Sequence, residues 1–299
     1  MTDTELFQQK FTQWREYLGS DNNADINTIR LTLSAIFNDM GAYDAFEAVC
    51  KASPSTPIST MLFGNLTSLS YFQLQIMRIR RLIDKPAVRK NKDVSIYSLR
   101  RVIDEIKEER DAGRFTRGNV CNAFNIAPSK TEVEAQFVAD ISNANGGSFS
   151  TGSIIAGKIH TMLDGIFDTN GSLKQEIVDE LEKRVYRDKN DKLKSITDVA
   201  DKYIAHSATP DSRTSDNANN LVIAMSDLKE VANGLLEAFY ICTWIIEYQV
   251  ANPVHTSVGN SIVNLTSDQQ TLANETYETL RKNVDTLIDN AKGIVGITD

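Results

Sequence analysis

"DNANNLVIAMSDLKEVANGLLEAFYICTWIIEYQ" (216–249) decides the fold class. It has helical periodicity from Asp216 onward, and Pro253 lies just beyond its end. Proline lacks the amide proton and clashes with the preceding turn, so it closes such a helix. The most apolar part, "AFYICTWIIEY" (238–248), is short and reaches a glutamate. That is far from the ~20 uninterrupted apolar residues of a membrane span. It reads instead as part of one long helix.

The same periodicity extends in both directions. "TELFQQKFTQWREYLG" (4–19) places Leu6, Phe7, Phe11, Trp14 and Leu18 at amphipathic spacing, with Gly19 as the stop. A second helix is capped by Asp25 and reaches about Lys51, where "ASPSTP" breaks it. A third runs from about Ile58 to Asp84, and "KPAVRKNK" then forms a charged loop. Asp93 or Ser95 caps the next helix, "SIYSLRRVIDEIKEERDAG". In it, Ile103 with Lys107, and Glu108 with Arg110, mark a buried and a wet face. Further helices are expected at "GSIIAGKIHTMLDGIFD", "SLKQEIVDELEKRVYRD" and "SITDVADKYIAHS". A last one runs from about Ser267 to Lys292. Strand-like alternation and repeats are not found. The expected architecture is all-α: an antiparallel helical bundle in a single domain, 1–299. "NIAPSK" and "NANGGSFSTGS" mark an irregular, flexible insertion over 126–153.

Composition narrows the function. The chain has 299 residues, 41% of them hydrophobic, and a net charge of −8 without a long basic run. Non-specific grip on a polyanion needs clustered cations, so it is not expected. Cys50, Cys121 and Cys242 are far apart and odd in number, which suits free thiols in a reducing cytoplasm. The acidic, polar start "MTDTELFQQKF" is no secretory signal. No metal or cofactor is expected, because no cluster has ligand spacing.

Two motifs fail on their chemistry. "GSIIAGKI" (152–159) has the glycines and lysine of a phosphate loop, but Ile159 stands where Mg²⁺ needs a hydroxyl, and no strand precedes it. "FDTNGSLKQE" (167–176) hints at a calcium loop. Setting Gly171 at the turn puts Ile166 and Ile177 where carboxylates are required. His160 and His255 have no ligand partners in sequence and read as structural.

His206 is different. On the helix "DKLKSITDVADKYIAHS" (191–207), Leu193, Ile196, Ala200 and Tyr203 form the core stripe. Asp198, Lys202 and His206 recur at four-residue spacing beside it. One role for His206 is to end the helix, where an imidazolium suits the dipole. The other is acid–base work at a groove, with Lys202 as a fixed charge.

"DVADKYIAHSA" (198–208) resembles the Asp-Lys … Ala-His helix of the HEPN superfamily, in particular its abortive-infection AbiU-like branch. "RIRRLIDK" (78–85) and "DVSIYSLRRVIDEI" (93–106) are similar to the branch's helix ending Arg-Leu-x-Asp and the helix after it. "DLKEVANGLLEAFYICTW" (227–244) is similar to its long closing helix. The resemblance covers about residues 30–250, leaving extra N- and C-terminal helices outside. It implies a HEPN-like bundle that dimerises across the histidine helix. Active members are metal-independent ribonucleases of defence or toxin type. In them a histidine moves the proton and an arginine stabilises the phosphorane.

By that resemblance His206, Lys202 and Asp201 are the catalytic candidates, and Arg81, Asp84 and Arg213 the substrate-binding ones. The family's arginine is missing, because Val199, Ala200 and Asp201 stand where it would fall. Lys202 lacks the planar fork that grips phosphate, and Arg81 or Arg213 would have to supply it in space. Three functions remain open: an RNA-binding or protein-interaction module, a ribonuclease toxin using His206, or a structural helical protein. RNA, a second copy and a protein are the expected partners, with no membrane.

Overall fold

The computed structural model describes residues 2–19, 28–52, 61–85, 88–89, 92–93, 97–124, 126, 151–201, 223–247 and 266–297. These form ten helices: α1 (Asp3–Leu18), α2 (Ile29–Ala52), α3 (Met61–Ile83), α4 (Leu99–Asp111), α5 (Arg117–Ala123), α6 (Thr151–Ile166), α7 (Gln175–Val185), α8 (Asp191–Val199), α9 (Met225–Glu247) and α10 (Ser267–Ile294). The all-α expectation holds. Among the described residues the one regular exception is an antiparallel ladder of two residues per strand, β1 (Val88–Arg89) with β2 (Lys92–Asp93). It stands in the stretch read as a charged loop, and it is too short for period-2 alternation to register.

α9 is the central helix. Buried residues run from Leu228 to Ile246 on every side of it, as expected for a helix surrounded by others. It touches α1, α2, α3, α4, α7, α8 and α10. Every helix contributes to one continuous apolar core. α10 lies along both α2 and α9. No described helix is long and apolar enough to cross a membrane.

Several boundaries differ from the sequence expectation. α9 begins at Met225 rather than Asp216, because Ile223 and Ala224 are not helical. The reason is local: the Asp227 carboxylate accepts the Ala224 amide at 3.3 Å, satisfying a donor at the helix start. The cap of α4 is Ser98 rather than Asp93 or Ser95. Its hydroxyl accepts the Arg101 amide at 3.1 Å and donates to the Asp84 carbonyl at 2.8 Å. One side chain thus caps α4 and ties it to the end of α3. α6 already starts at Thr151, inside the stretch read as an insertion, while Asp25 and residues 127–150 lie outside the described residues. α1 ends at Gly19 as expected; φ of +88° there favours glycine.

Candidate functional site

The α8 stripe is buried as read: Leu193, Ile196 and Ala200 are all fully covered. What the periodicity did not show is the backbone after Val199. Ala200 and Asp201 take π-helical geometry. A π turn closes on i→i+5 bonds, so it shifts the register of the residues after it, and such turns recur at functional sites. Lys202, Tyr203, His206 and Arg213 lie outside the described residues, as does His255.

Asp201 is therefore the anchor of the site. An Arg80 guanidinium nitrogen stands 2.9 Å from its carboxylate, and one of Arg187 stands 3.5 Å away. Arg187 also holds Asp198 at 2.6 Å, and Arg80 reaches Asp84 at 3.7 Å. The five side chains come from the end of α3, the turn between α7 and α8, and the end of α8. They form a half-exposed chain, Asp84–Arg80–Asp201–Arg187–Asp198. Three carboxylates meet two guanidiniums, so the cluster is acidic by one charge.

Asp201 and Asp84, both expected at the site, do come together through Arg80. Arg81 is half-buried on α3 and one residue removed from that bridging position. Arg80 and Arg187 are the residues that sequence reasoning passed over. The signal for Arg80 was its four-residue spacing to Asp84, as good a helical pair as Arg81 to Asp84. Nothing local pointed to Arg187, whose partners lie across a turn.

Behind the cluster, Arg100 lies 3.9 Å over the ring of Tyr186 and 3.4 Å from Asp104, which also accepts the Tyr186 hydroxyl. Burial, then this bond to the Asp104 carboxylate, pushes the Tyr186 phenol well up from its usual range. This second layer fixes the residue next to Arg187.

The Asp84 carboxyl is raised above its usual range. Burial is the main cause; Arg80 and Arg187 oppose it only in part, and the charge on Asp201 adds to it. A raised pKa means the fold prefers the protonated acid, so ionising Asp84 costs stability. That cost is present at neutral pH and vanishes below the ordinary value of 3.8, where folded and unfolded chains are both protonated. Asp84→Asn is therefore expected to raise the melting temperature at pH 7 by about 1–2 °C, a small effect because the group is half-exposed. At pH 3 the gain should disappear. A loss at pH 7 would show that the Arg80 pairing outweighs the burial.

The one histidine among the described residues, His160, is structural in setting. His160 is fully buried in α6, with its Nδ1 3.1 Å from an Arg117 nitrogen, and Arg117 also pairs with Asp164. In the stretch that hinted at a calcium loop, Asp168 accepts the amides of Asn170 and Ser172 at 2.8 and 2.9 Å, while Gly171 turns at φ +75°. That carboxylate shapes a turn. Among the described residues no three His, Cys, Asp or Glu side chains converge as metal ligands.

Comparison with protein-family models, with characterised proteins and with solved structures gives no match to this chain.

Proposed function

We propose that the chain is a HEPN-like helical module that acts by binding a protein partner, and that it does not turn over RNA. One observation carries this reading: both guanidiniums that meet Asp201 are occupied. Arg80 and Arg187 are held by Asp84, Asp198 and Asp201. A phosphate would have to displace carboxylates from a cluster that is already acidic, within a chain of net charge −8. Stabilising a phosphorane requires cations already aimed at the developing charge, and these are aimed at aspartates. The lost family arginine and the acid-rich cluster point the same way.

A second reading has its own support. Arg80 and Arg187 sit beside Asp201, immediately ahead of Lys202 and four residues short of the segment's Ala205–His206 pair. They could supply in space the fork that the helix lacks, making a toxin-type ribonuclease with His206 as acid–base.

Incubation with tRNA and structured RNA separates the two. The expected result is no 2′,3′-cyclic phosphate ends above background. Cleavage that His206→Ala abolishes overturns the binding reading. Replacing Asp198 and Asp201 by asparagine frees Arg187 and is expected to tighten RNA retention about tenfold, the equivalent of ~1.4 kcal/mol, in a mobility-shift assay.

A further inference from the structure

The large apolar side chains exposed among the described residues are Leu31, Leu69, Leu74 and Met77, at 45%, 56%, 45% and 38%. All four lie on α2 and α3. These helices are antiparallel neighbours: Arg78 bonds the Ala35 carbonyl at 3.1 Å at one level, and Tyr43 bonds Ser68 at 2.9 Å at another. The stacked rings of Tyr43 and Tyr71, 4.2 Å apart, floor a groove between them. The groove, about 550 Å³, is walled by Asp39, Ala42 and Phe46 on α2 and by Ser70 and Leu74 on α3.

The two walls differ in a paired way. At the levels fixed by those bonds, α2 offers the small residues Ala35 and Ala42 and the carboxylate of Asp39. α3 offers the large residues Leu74 and Met77 and the guanidinium of Arg78. Asp39 and Arg78 are ion-paired across the groove. Hollows and an acid on one side thus stand level with knobs and a base on the other. A two-fold axis running along the groove, parallel to both helices, keeps each residue at its own level and lays α2 of one copy over α3 of the other. Leu74 and Met77 of each chain then enter the alanine hollows of its mate, and each Arg78 meets a second Asp39. A patch that is complementary to itself under a two-fold operation is what an isologous interface requires.

We infer that the α2/α3 face pairs with the same face of a second copy of this chain. Its extent fits a weak dimer. From Leu31 to Phe46 the face is about 24 Å long, and two helices side by side are about 20 Å wide, so a pair of faces covers roughly 1,000 Å². That is the lower end for a specific interface, and it implies association that depends on concentration. The pairing is independent of whether the charge cluster binds RNA.

Sedimentation of the full chain from about 1 to about 200 μM, a range that brackets micromolar affinity, tests it. The wild type is expected to climb from one-chain to two-chain mass. Leu74→Glu with Met77→Glu should hold the chain at one-chain mass throughout. Both positions are exposed, so the circular dichroism spectrum and melting temperature should not change. Ala42→Trp, which fills the hollow from an exposed position, should weaken association at least tenfold. A wild type that stays monomeric assigns the face to a different protein and overturns the inference. So does a dimer that survives both variants, since its interface must lie elsewhere.

Discussion

Trp14→Ala is expected to cost about 3–5 kcal/mol of folding stability, a large part of the ~5–15 kcal/mol that holds a typical domain. Trp14 is fully buried and the largest side chain in the core. It stacks on Phe115 at 5.8 Å and meets Phe7 and Phe11 edge-on at 6.1 and 6.2 Å. Its indole nitrogen donates to Glu105 at 2.8 Å. Glu105 also takes Arg101 at 2.8 Å, and Arg101 lies over the ring of Tyr17. Truncation therefore opens a cavity where α1 meets α4 and removes one donor from a mostly buried carboxylate. Trp14→Phe keeps an aromatic ring in place but loses the bond and part of the indole volume, so it should cost about 1–3 kcal/mol. Urea titration followed by circular dichroism reads both. A loss below about 1 kcal/mol for alanine would mean that α1 is not an integral part of the core.

That prediction rests on a helix that was largely legible. Leu6, Phe7, Phe11, Trp14 and Leu18 were placed on the apolar face by spacing alone, and all but the half-buried Leu6 are buried. α4 was legible only in part. Ile103 is buried as read, but so are Arg100, Arg101 and Glu109. Periodicity sorts residues by polarity, and it cannot foresee charged groups that neutralise each other within the core. Arg100 with Asp104, and Arg101 with Glu105, do so at four-residue spacing; Glu109 closes on Arg114. The arginines that partner Asp84 and Asp201 were not legible for a different reason. Arg80 and Arg81 lie about 100° apart on α3, and their own sequence does not say which one turns toward α8. That is decided by Asp201, distant in the chain, and by the π turn that presents it. Arg187 depends on the path of the turn between α7 and α8. The missed arginines of the site belong to contacts between elements, whereas the missed Arg100 and Arg101 of α4 pair within their own helix.

Two helical glycines are expected to respond to alanine with opposite signs. In a helix, alanine usually improves stability over glycine by about 0.5–1 kcal/mol through reduced chain entropy. Gly293, in the last turn of α10, has nothing within 4 Å of where a Cβ would stand. Gly293→Ala should therefore stabilise by about that amount. A Cβ on Gly165, in α6, would fall 2.2 Å from the Val295 carbonyl oxygen and 3.1 Å from that of Gly296. These are backbone atoms and cannot rotate away. Val295 is fully buried, and Gly296 turns at φ +71° to bring the chain end against α6. Lys174 meanwhile holds the Gly165 carbonyl at 2.6 Å, fixing α6 from the other side. Gly165→Ala must therefore push α6 away from the chain end or expel Val295 from the core. Either should cost about 3 kcal/mol, the upper range for overpacking. One added methyl thus meets open space at Gly293 and a fixed carbonyl at Gly165, and denaturation midpoints should move in opposite directions. Equal midpoints for the two variants would mean that the end of α10 is not seated on α6, and that the bundle is closed at this end by other contacts.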